Sequence, residues 1–148
     1  MSTKYPLPPF LAKKIDQKAY SRWLSRKSIA HVRRDKKRGN ASAINEAYKK
    51  AIHLASVDSG GFDEYTGEEL DWHLVSKYDN NESKKHRRKY KARFGLLPTV
   101  DHVGDGLGEP DFKICGWRTN DAKGDLTHAE LLQFCRRVLA HFERPKSP

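Results

Sequence analysis

This chain of 148 residues carries 29 Lys and Arg against 19 Asp and Glu, and 36% of its residues are hydrophobic. That length and composition are enough for one domain with a buried core, and no apolar run is long enough to span a bilayer. Only two cysteines occur, Cys115 and Cys135, with no CxxC motif, so neither a disulfide framework nor a zinc finger is indicated. We expect both to be buried small apolar side chains in a reducing compartment.

The net charge of +10 is concentrated in the first third of the chain. Residues 1–50 hold 14 Lys and Arg against 3 Asp and Glu, whereas residues 51–100 hold 8 of each. Basic segments beside an acidic centre suit a polyanion partner, with the acids available for a metal ion. A solvated surface without a partner is the alternative.

The first residues, "MSTKYPLPPF", are rich in proline and predict an extended arm over residues 1–9. They lack the basic-then-apolar order of a signal peptide, so we expect a cytoplasmic protein with no membrane contact. A first helix is predicted over 12–38, and it ends at Gly39-Asn40. Its apolar face is expected to contain Ile15, Ala19, Trp23, Ile29 and Val32.

A second amphipathic helix is predicted over 42–57, with Ser42 as its N-cap. Its buried face is expected to contain Ile44, Tyr48, Ile52 and Ala55. The run Ser59-Gly60-Gly61 marks its end.

A tight turn is predicted at Thr66-Gly67, in the run "EYTGEEL". Residues 82–94 have helical propensity, with Glu82 near the start of the helix, where the helix dipole favours a negative charge. Two short strands are predicted over 96–103 and 111–117, joined by a loop with three glycines.

Thr127 and Glu130 have the spacing of a capping box, which predicts a final helix. Its buried stripe is expected to contain Leu131, Phe134, Cys135, Val138 and Phe142.

The stretch 99–127 concentrates six carboxylates, a histidine and an asparagine in a basic chain. Phosphodiester hydrolysis needs a base with a near-neutral pKa, such as imidazole, and a hard cation to stabilise developing negative charge. Asp101 and His102 are neighbours on a predicted strand, so they point to opposite faces. His102 is placed to face substrate and Asp101 a metal ion, with Asn120 supplying a second oxygen ligand.

The order Asp-His, glycine-containing loop, apolar strand and Asn-x-x-Lys resembles the HNH endonucleases, which carry a ββα-metal finger. The resemblance covers about residues 62–126. It implies that His102 is the general base and that Asp101 and Asn120 bind a magnesium or manganese ion. The family's middle asparagine, which the resemblance places among the catalytic residues, falls on Asp111, and an ionised aspartate can accept hydrogen bonds but not donate them. Paired cysteines are missing, so no structural zinc is expected, and packing of Trp72, Phe112, Ile114 and Trp117 must hold the hairpin.

Two basic segments, "RKSIAHVRRDKKR" and "KKHRRKYKAR", are expected to bind a phosphate backbone. Cations on successive turns of a helix form one charged face. Arg118 and Lys123 flank Asn120 and are placed to contact phosphates on either side of the cleaved bond. The full set is Arg33, Arg34, Lys36, Lys37, Arg38, Lys85, Arg87, Arg88, Arg118 and Lys123.

Together these patterns predict an α+β fold in which a mainly helical N-terminal part packs on a C-terminal HNH-like finger that precedes a final helix. The expected organisation is an arm (1–9) and a single nuclease domain (10–148), divided into a basic helical part (10–61), the finger (62–126) and the helix (127–144). The expected function is metal-dependent hydrolysis of DNA by a monomer or homodimer. A non-catalytic nucleic-acid-binding module on the same scaffold and an RNA-directed nuclease or toxin are the alternatives.

Overall fold

A computed structural model describes residues 3–145 of the chain. It has the predicted α+β composition, with a two-stranded antiparallel sheet among helices. The elements in chain order are α1 (Gln17–Lys37), α2 (Asn45–Ser59), α3 (Asn80–His86), α4 (Arg88–Arg93), β1 (Pro98–His102), β2 (Phe112–Gly116), α5 (Trp117–Lys123) and α6 (His128–Glu143).

The described part of the predicted arm, residues 3–9, lies against the first two helices. The backbone N–H of Leu7 donates to Gln17 Oε1 at 2.6 Å, and Pro8 is fully buried. A short 3-10 helix, Pro9–Leu11, then buries Leu11 in the core. Residues 1 and 2 of the predicted arm lie outside the described residues.

Helix α1 begins at the side chain of Asp16, which accepts from the backbone N–H of Ala19 at 2.7 Å. Tyr20, Trp23 and Leu24 are buried on its inner face. The prediction for Ile29 is wrong, since its side chain is 49% exposed. Ile29 precedes the buried His31 by two residues. Its side chain therefore lies about 200° around the helix from His31, which is on the inner face.

Helix α2 buries Tyr48, Ile52 and Ala55, as predicted. Ile44 is exposed instead of buried, because it is the N-cap residue and lies before the first helical turn. Ser42 is not the cap either. Its hydroxyl donates to Asn40 Oδ1 at 2.8 Å, within the connection between the two helices.

The sheet packs against this helical pair, with α2 lying on β2 and α5 on both strands. In the hairpin, Val100 pairs with Ile114 and His102 with Phe112. One core joins α1, α2 and the strands through residues such as Trp23, Ile52 and Ile114. Trp72, Phe112 and Ile114 are buried as expected, and Trp117 is half-buried.

The predicted helix over 82–94 is divided in two at Arg87, whose φ of 43° is in the left-handed region. The second piece, α4, buries Tyr90 and Phe94, whose rings stack with centroids 4.2 Å apart. The Tyr90 hydroxyl accepts from the N–H of Asp79 at 2.6 Å. A continuous helix would keep α3 on the axis of α4. The break at Arg87 lets α3 turn back, so that the backbone of Asp79 reaches the Tyr90 hydroxyl.

Helix α6 has the predicted capping box, with Thr127 and Glu130 bonded to each other's backbone N–H groups. The prediction of a buried stripe is wrong. Leu131 is half-buried, while Phe134, Cys135, Val138 and Phe142 are exposed, so Cys135 also departs from the expected burial. No element within residues 3–145 covers this apolar face. Cys115, in contrast, is buried in β2 as expected.

Across residues 3–145 no helix combines the length and the apolar character needed to cross a bilayer.

The two kinds of apolar position predict different effects of truncation on stability. Ile52→Ala is expected to lower the free energy of unfolding by about 2–5 kcal/mol, because Ile52 is fully buried. Leu139→Ala should change it by less than about 0.5 kcal/mol, because Leu139 is 54% exposed. Urea unfolding of the two variants measures both values. A similar loss in both would contradict the exposed position of α6.

Candidate active site

The hairpin presents Asp101 and His102 on opposite faces at the end of β1. Asp101 pairs with Lys113 and His102 with Phe112 across the antiparallel strands. Successive side chains alternate in a strand, so the two neighbours contact different parts of the molecule.

Asp101 is buried and receives two donors on one oxygen. The Tyr65 hydroxyl donates to Oδ2, and Lys123 Nζ lies 3.2 Å from the same atom. Burial raises the pKa of Tyr65 well above its ordinary value, and the contact with Asp101 raises it further. Tyr65 is therefore a neutral donor, and Lys123 supplies the compensating positive charge.

His102 contacts a buried carboxylate from α1. Its Nε2 lies 2.7 Å from Asp35 Oδ2, and its Nδ1 lies 3.0 Å from the carbonyl oxygen of Val103. The Tyr48 hydroxyl donates to the same Asp35 oxygen. The imidazole is 11% exposed and the Asp35 side chain is fully buried. Both ring nitrogens thus face protein acceptors.

The glycine loop between the strands closes over Asp35. Gly106 has φ of +83°, and a Cβ on it would lie 2.5 Å from Asp35 Oδ1. Its carbonyl accepts from Asn40 Nδ2 at 2.8 Å. A residue with a side chain would fit at position 106 only if Asp35 moved. The glycine loop, α1 and the connection between α1 and α2 therefore all come together at the Asp35 carboxylate.

His31, one turn before Asp35, packs beside the imidazole of His102. Their ring centroids are 5.9 Å apart, and His31 also contacts Phe112 edge-on. The pKa of His31 is lowered to about 3, chiefly by burial, with the charge of Arg34 acting in the same direction. His31 is therefore neutral over the physiological range.

Asp63 joins the turn at Thr66-Gly67 to the junction of β2 and α5. Its carboxylate accepts from the N–H groups of Tyr65, Thr66 and Gly116 and from the Thr119 hydroxyl, at 2.7–3.0 Å. Burial opposes its ionisation, but these hydrogen bonds hold the pKa of Asp63 below its ordinary value. One ionised side chain therefore connects the turn to the start of α5.

Two neighbouring cavities open beside the hairpin. The first, called here the histidine cavity, has a volume of about 670 Å³ and is lined by residues including Asp101, His102, Asn120 and Lys123. The second, called the lysine cavity, has a volume of about 470 Å³ and is lined by residues including Arg26, Lys27 and Trp117. Four residues line both cavities: His31, Arg34, Val100 and Asn120.

The predicted site residues do not all lie at the histidine cavity. Asp101, His102, Asn120 and Lys123 line it, but the Asp111 side chain is exposed. Asp111 instead uses its backbone carbonyl, which accepts from Val103 N–H at 2.8 Å. Asp35, rather than Asp111, contacts the imidazole.

The predicted phosphate contacts divide by location. Arg34 and Arg38 line the histidine cavity, and Arg118 is exposed on α5, where it pairs with Glu68. Lys123 is buried against Asp101. The remaining predicted cations are exposed on α1, α3 and α4 or where α3 and α4 meet: Arg33, Lys36, Lys37, Lys85, Arg87 and Arg88.

Asp35 is the important residue that the sequence reasoning missed. It is the sole acidic residue of α1 and lies inside the basic run "RRDKK". His31 precedes it by four residues, which places both on one face of the helix. An isolated acid on the inner face of a basic helix was the available signal.

No three His, Cys, Asp or Glu side chains within residues 3–145 converge to hold a metal ion. A magnesium ion needs only one or two carboxylates, with water and substrate oxygens completing its shell. Both contacts that Asp101 makes fall on Oδ2, so Oδ1 is not engaged by Tyr65 or Lys123, and Asn120 lines the same cavity. Asp101 Oδ1 and the Asn120 amide oxygen are the two donors that the resemblance implies for such an ion.

No family model, no curated protein and no solved structure matches this chain.

The contact between Gly106 and Asp35 predicts a large cost for a small substitution. Gly106→Ala is expected to lower the free energy of unfolding by about 2–4 kcal/mol, from a positive φ combined with a clash against a buried carboxylate. Gly104→Ala is the matched control, with φ of +89° and open space around its Cβ, and should cost about 1 kcal/mol. Equal losses in urea unfolding would mean that the loop does not close on Asp35.

The low pKa of His31 predicts a pH-dependent loss of stability. The unfolded chain binds a proton at His31 below about pH 6.5, while the folded protein binds it only near pH 3. Stability from this group is therefore complete above pH 6.5 and is lost as the pH falls toward 3. Between pH 6.5 and 4, wild type should lose up to about 3 kcal/mol more than His31→Gln. Parallel curves of unfolding free energy against pH would contradict this.

Proposed function

We propose that this protein is a cytoplasmic, metal-dependent endonuclease of the HNH type that hydrolyses phosphodiester bonds in DNA. One observation carries the proposal. The strand–loop–strand–helix order places Asp101, His102, Asn120 and Lys123 around a single cavity. These are the positions that the resemblance assigns to a ββα-metal finger.

In the proposed reaction, His102 takes a proton from a water molecule, which attacks the phosphorus as the bond to the 3′ oxygen breaks. The leaving oxygen takes up a proton, and the products carry 5′-phosphate and 3′-hydroxyl ends, as the resemblance implies. Asp35 is a positioning residue here. By accepting a hydrogen bond from Nε2, it selects the tautomer whose lone pair is on Nδ1.

The general base must offer that lone pair to water. In the structure Nδ1 faces the Val103 carbonyl at 3.0 Å, so this contact has to open when substrate enters the histidine cavity. Val103 is the first residue after β1, where a small change in the loop can turn the carbonyl away.

A divalent ion would be held by Asp101 and Asn120. When bound, it stabilises negative charge on the phosphate and on the leaving oxygen. Lys123 remains on Asp101 Oδ2 and keeps the carboxylate oriented. Arg34, Arg38 and Lys113 line the same cavity and supply positive charge for the flanking phosphates.

The second candidate is a non-catalytic nucleic-acid-binding module. Two contacts favour it: both nitrogens of His102 face protein acceptors, and Asp101 is paired with Lys123. It predicts binding that weakens with salt, without cleavage that depends on a divalent ion.

Plasmid nicking with magnesium separates the two candidates. Wild type should nick supercoiled DNA, and His102→Ala should be slower by a factor of about 10²–10⁴, which is the usual contribution of a general base. Asn120→Ala should require more magnesium for the same rate, because a metal ligand is lost. EDTA should abolish cutting.

His73→Ala is the matched control, since His73 is exposed and does not line the histidine cavity; it should cut at the wild-type rate. Equal cutting by wild type and His102→Ala would remove His102 from the mechanism. Salt-sensitive binding with no cutting by wild type would favour the binding module. Digestion of a structured RNA in parallel distinguishes a DNA substrate from an RNA substrate.

A further inference from the structure

The lysine cavity has a positive charge that its own residues do not neutralise. Arg26, Lys27 and Arg34 line it from α1. Asp121 is the acidic residue among its lining residues, and it pairs with Lys91 at 2.8 Å. The histidine cavity differs, because its cations are mixed with Asp101, Asp105 and Asp125.

Lys27 is the least exposed of these cations, since Arg26 and Arg34 are exposed and Lys27 is half-buried. Its Nζ donates to the Thr99 hydroxyl at 3.1 Å, and no carboxylate within residues 3–145 forms an ion pair with it. The pKa of Lys27 is lowered to about 8, chiefly by burial, with the charges of Arg26 and Arg34 acting in the same direction. A half-buried ammonium close to two guanidinium groups and without a carboxylate partner is unfavourable in the free protein. A bound anion would relieve that cost.

Aromatic side chains form another part of the lining, called here the aromatic wall. They are Trp23, Tyr78 and Trp117, and the rings of Tyr78 and Trp117 meet edge-to-face with centroids 5.7 Å apart. The indole N–H of Trp23 is buried and has no acceptor among the described residues. A ligand that combines an anionic group with a flat ring would match both parts of this lining.

We propose that the lysine cavity binds one unpaired nucleotide of a nucleic-acid strand, with its phosphate on Arg26, Lys27 and Arg34 and its base against the aromatic wall. The inference rests on the proposed function for its choice of nucleic acid as the ligand. The base must be unpaired, because a base inside a duplex is covered on both faces by its neighbours, whereas single strands stack on aromatic side chains. Arg34 and Asn120 line both cavities, so this nucleotide lies next to the bond at the histidine cavity.

The test measures binding without chemistry. Fluorescence anisotropy in EDTA follows a fluorescein-labelled single-stranded DNA 12-mer of mixed sequence and its duplex, with wild type, Lys27→Met and Lys18→Met. Lys18 is the matched control, because it is exposed on α1 and lies nine residues, about two and a half turns, from Lys27, on the opposite side of the helix.

Lys27→Met should bind the single strand about tenfold more weakly, and the slope of log affinity against log salt should fall by about 0.7, the value for one phosphate on a single strand. Its melting temperature should equal or exceed that of wild type, because a half-buried charge without a carboxylate partner is removed. Lys18→Met should bind within about twofold of wild type. The loss on the duplex should be smaller than on the single strand.

Wild-type binding by Lys27→Met, or an equal loss in Lys18→Met, would overturn the phosphate site. An equal loss on single strand and duplex would overturn the assignment to an unpaired nucleotide. These outcomes are independent of cleavage. A protein that binds as expected but does not nick DNA would refute the nuclease alone, and a protein that nicks DNA while Lys27→Met binds normally would refute the nucleotide site alone.

Discussion

The buried carboxylate of Asp35 is the constraint on which the candidate site depends. A fully buried carboxylate is stable only when donors surround it, and here Arg38, three residues away, is joined by donors from distant segments. Tyr48 on α2 and His102 at the end of β1 both meet Asp35, and Gly106 passes close enough to exclude any side chain. The contacts at Asp35 therefore do two things. The hydrogen bond with His102 sets the orientation of the imidazole, and the close approach of Gly106 sets the path of the loop.

A second carboxylate, that of Asp63, attaches the hairpin to its surroundings. Asp63 receives four hydrogen bonds from the turn at Thr66-Gly67 and from the start of α5. The buried side chains of Trp72 and Ile114 add the apolar part of the attachment. A short hairpin is only marginally stable by itself, so its position relies on these contacts and on the helical pair beneath it.

The two cavities differ in how their charges are balanced. At the histidine cavity, Asp101 is neutralised by Lys123 and Asp35 faces His102. At the lysine cavity, Lys27 and its arginine neighbours have no such partners among the lining residues. Compensated charge favours a fixed geometry, whereas uncompensated charge favours an anionic ligand. The arrangement suits a site that positions groups in one cavity and retains a phosphate in the next.

Local patterns in the sequence were enough to predict both strands, the capping box at Thr127 and the α+β class, because each depends on residues a few positions apart. They also indicated Asp101, His102 and Asn120, which the structure places around one cavity. The apolar stripe of α6 was predicted to be buried and is exposed, since periodicity defines a face but not what covers it. Asp35 and Lys27 were missed for the same reason. Their partners His102 and Thr99 lie 67 and 72 residues away, and the partners of a buried charge at such separations are decided only by tertiary packing.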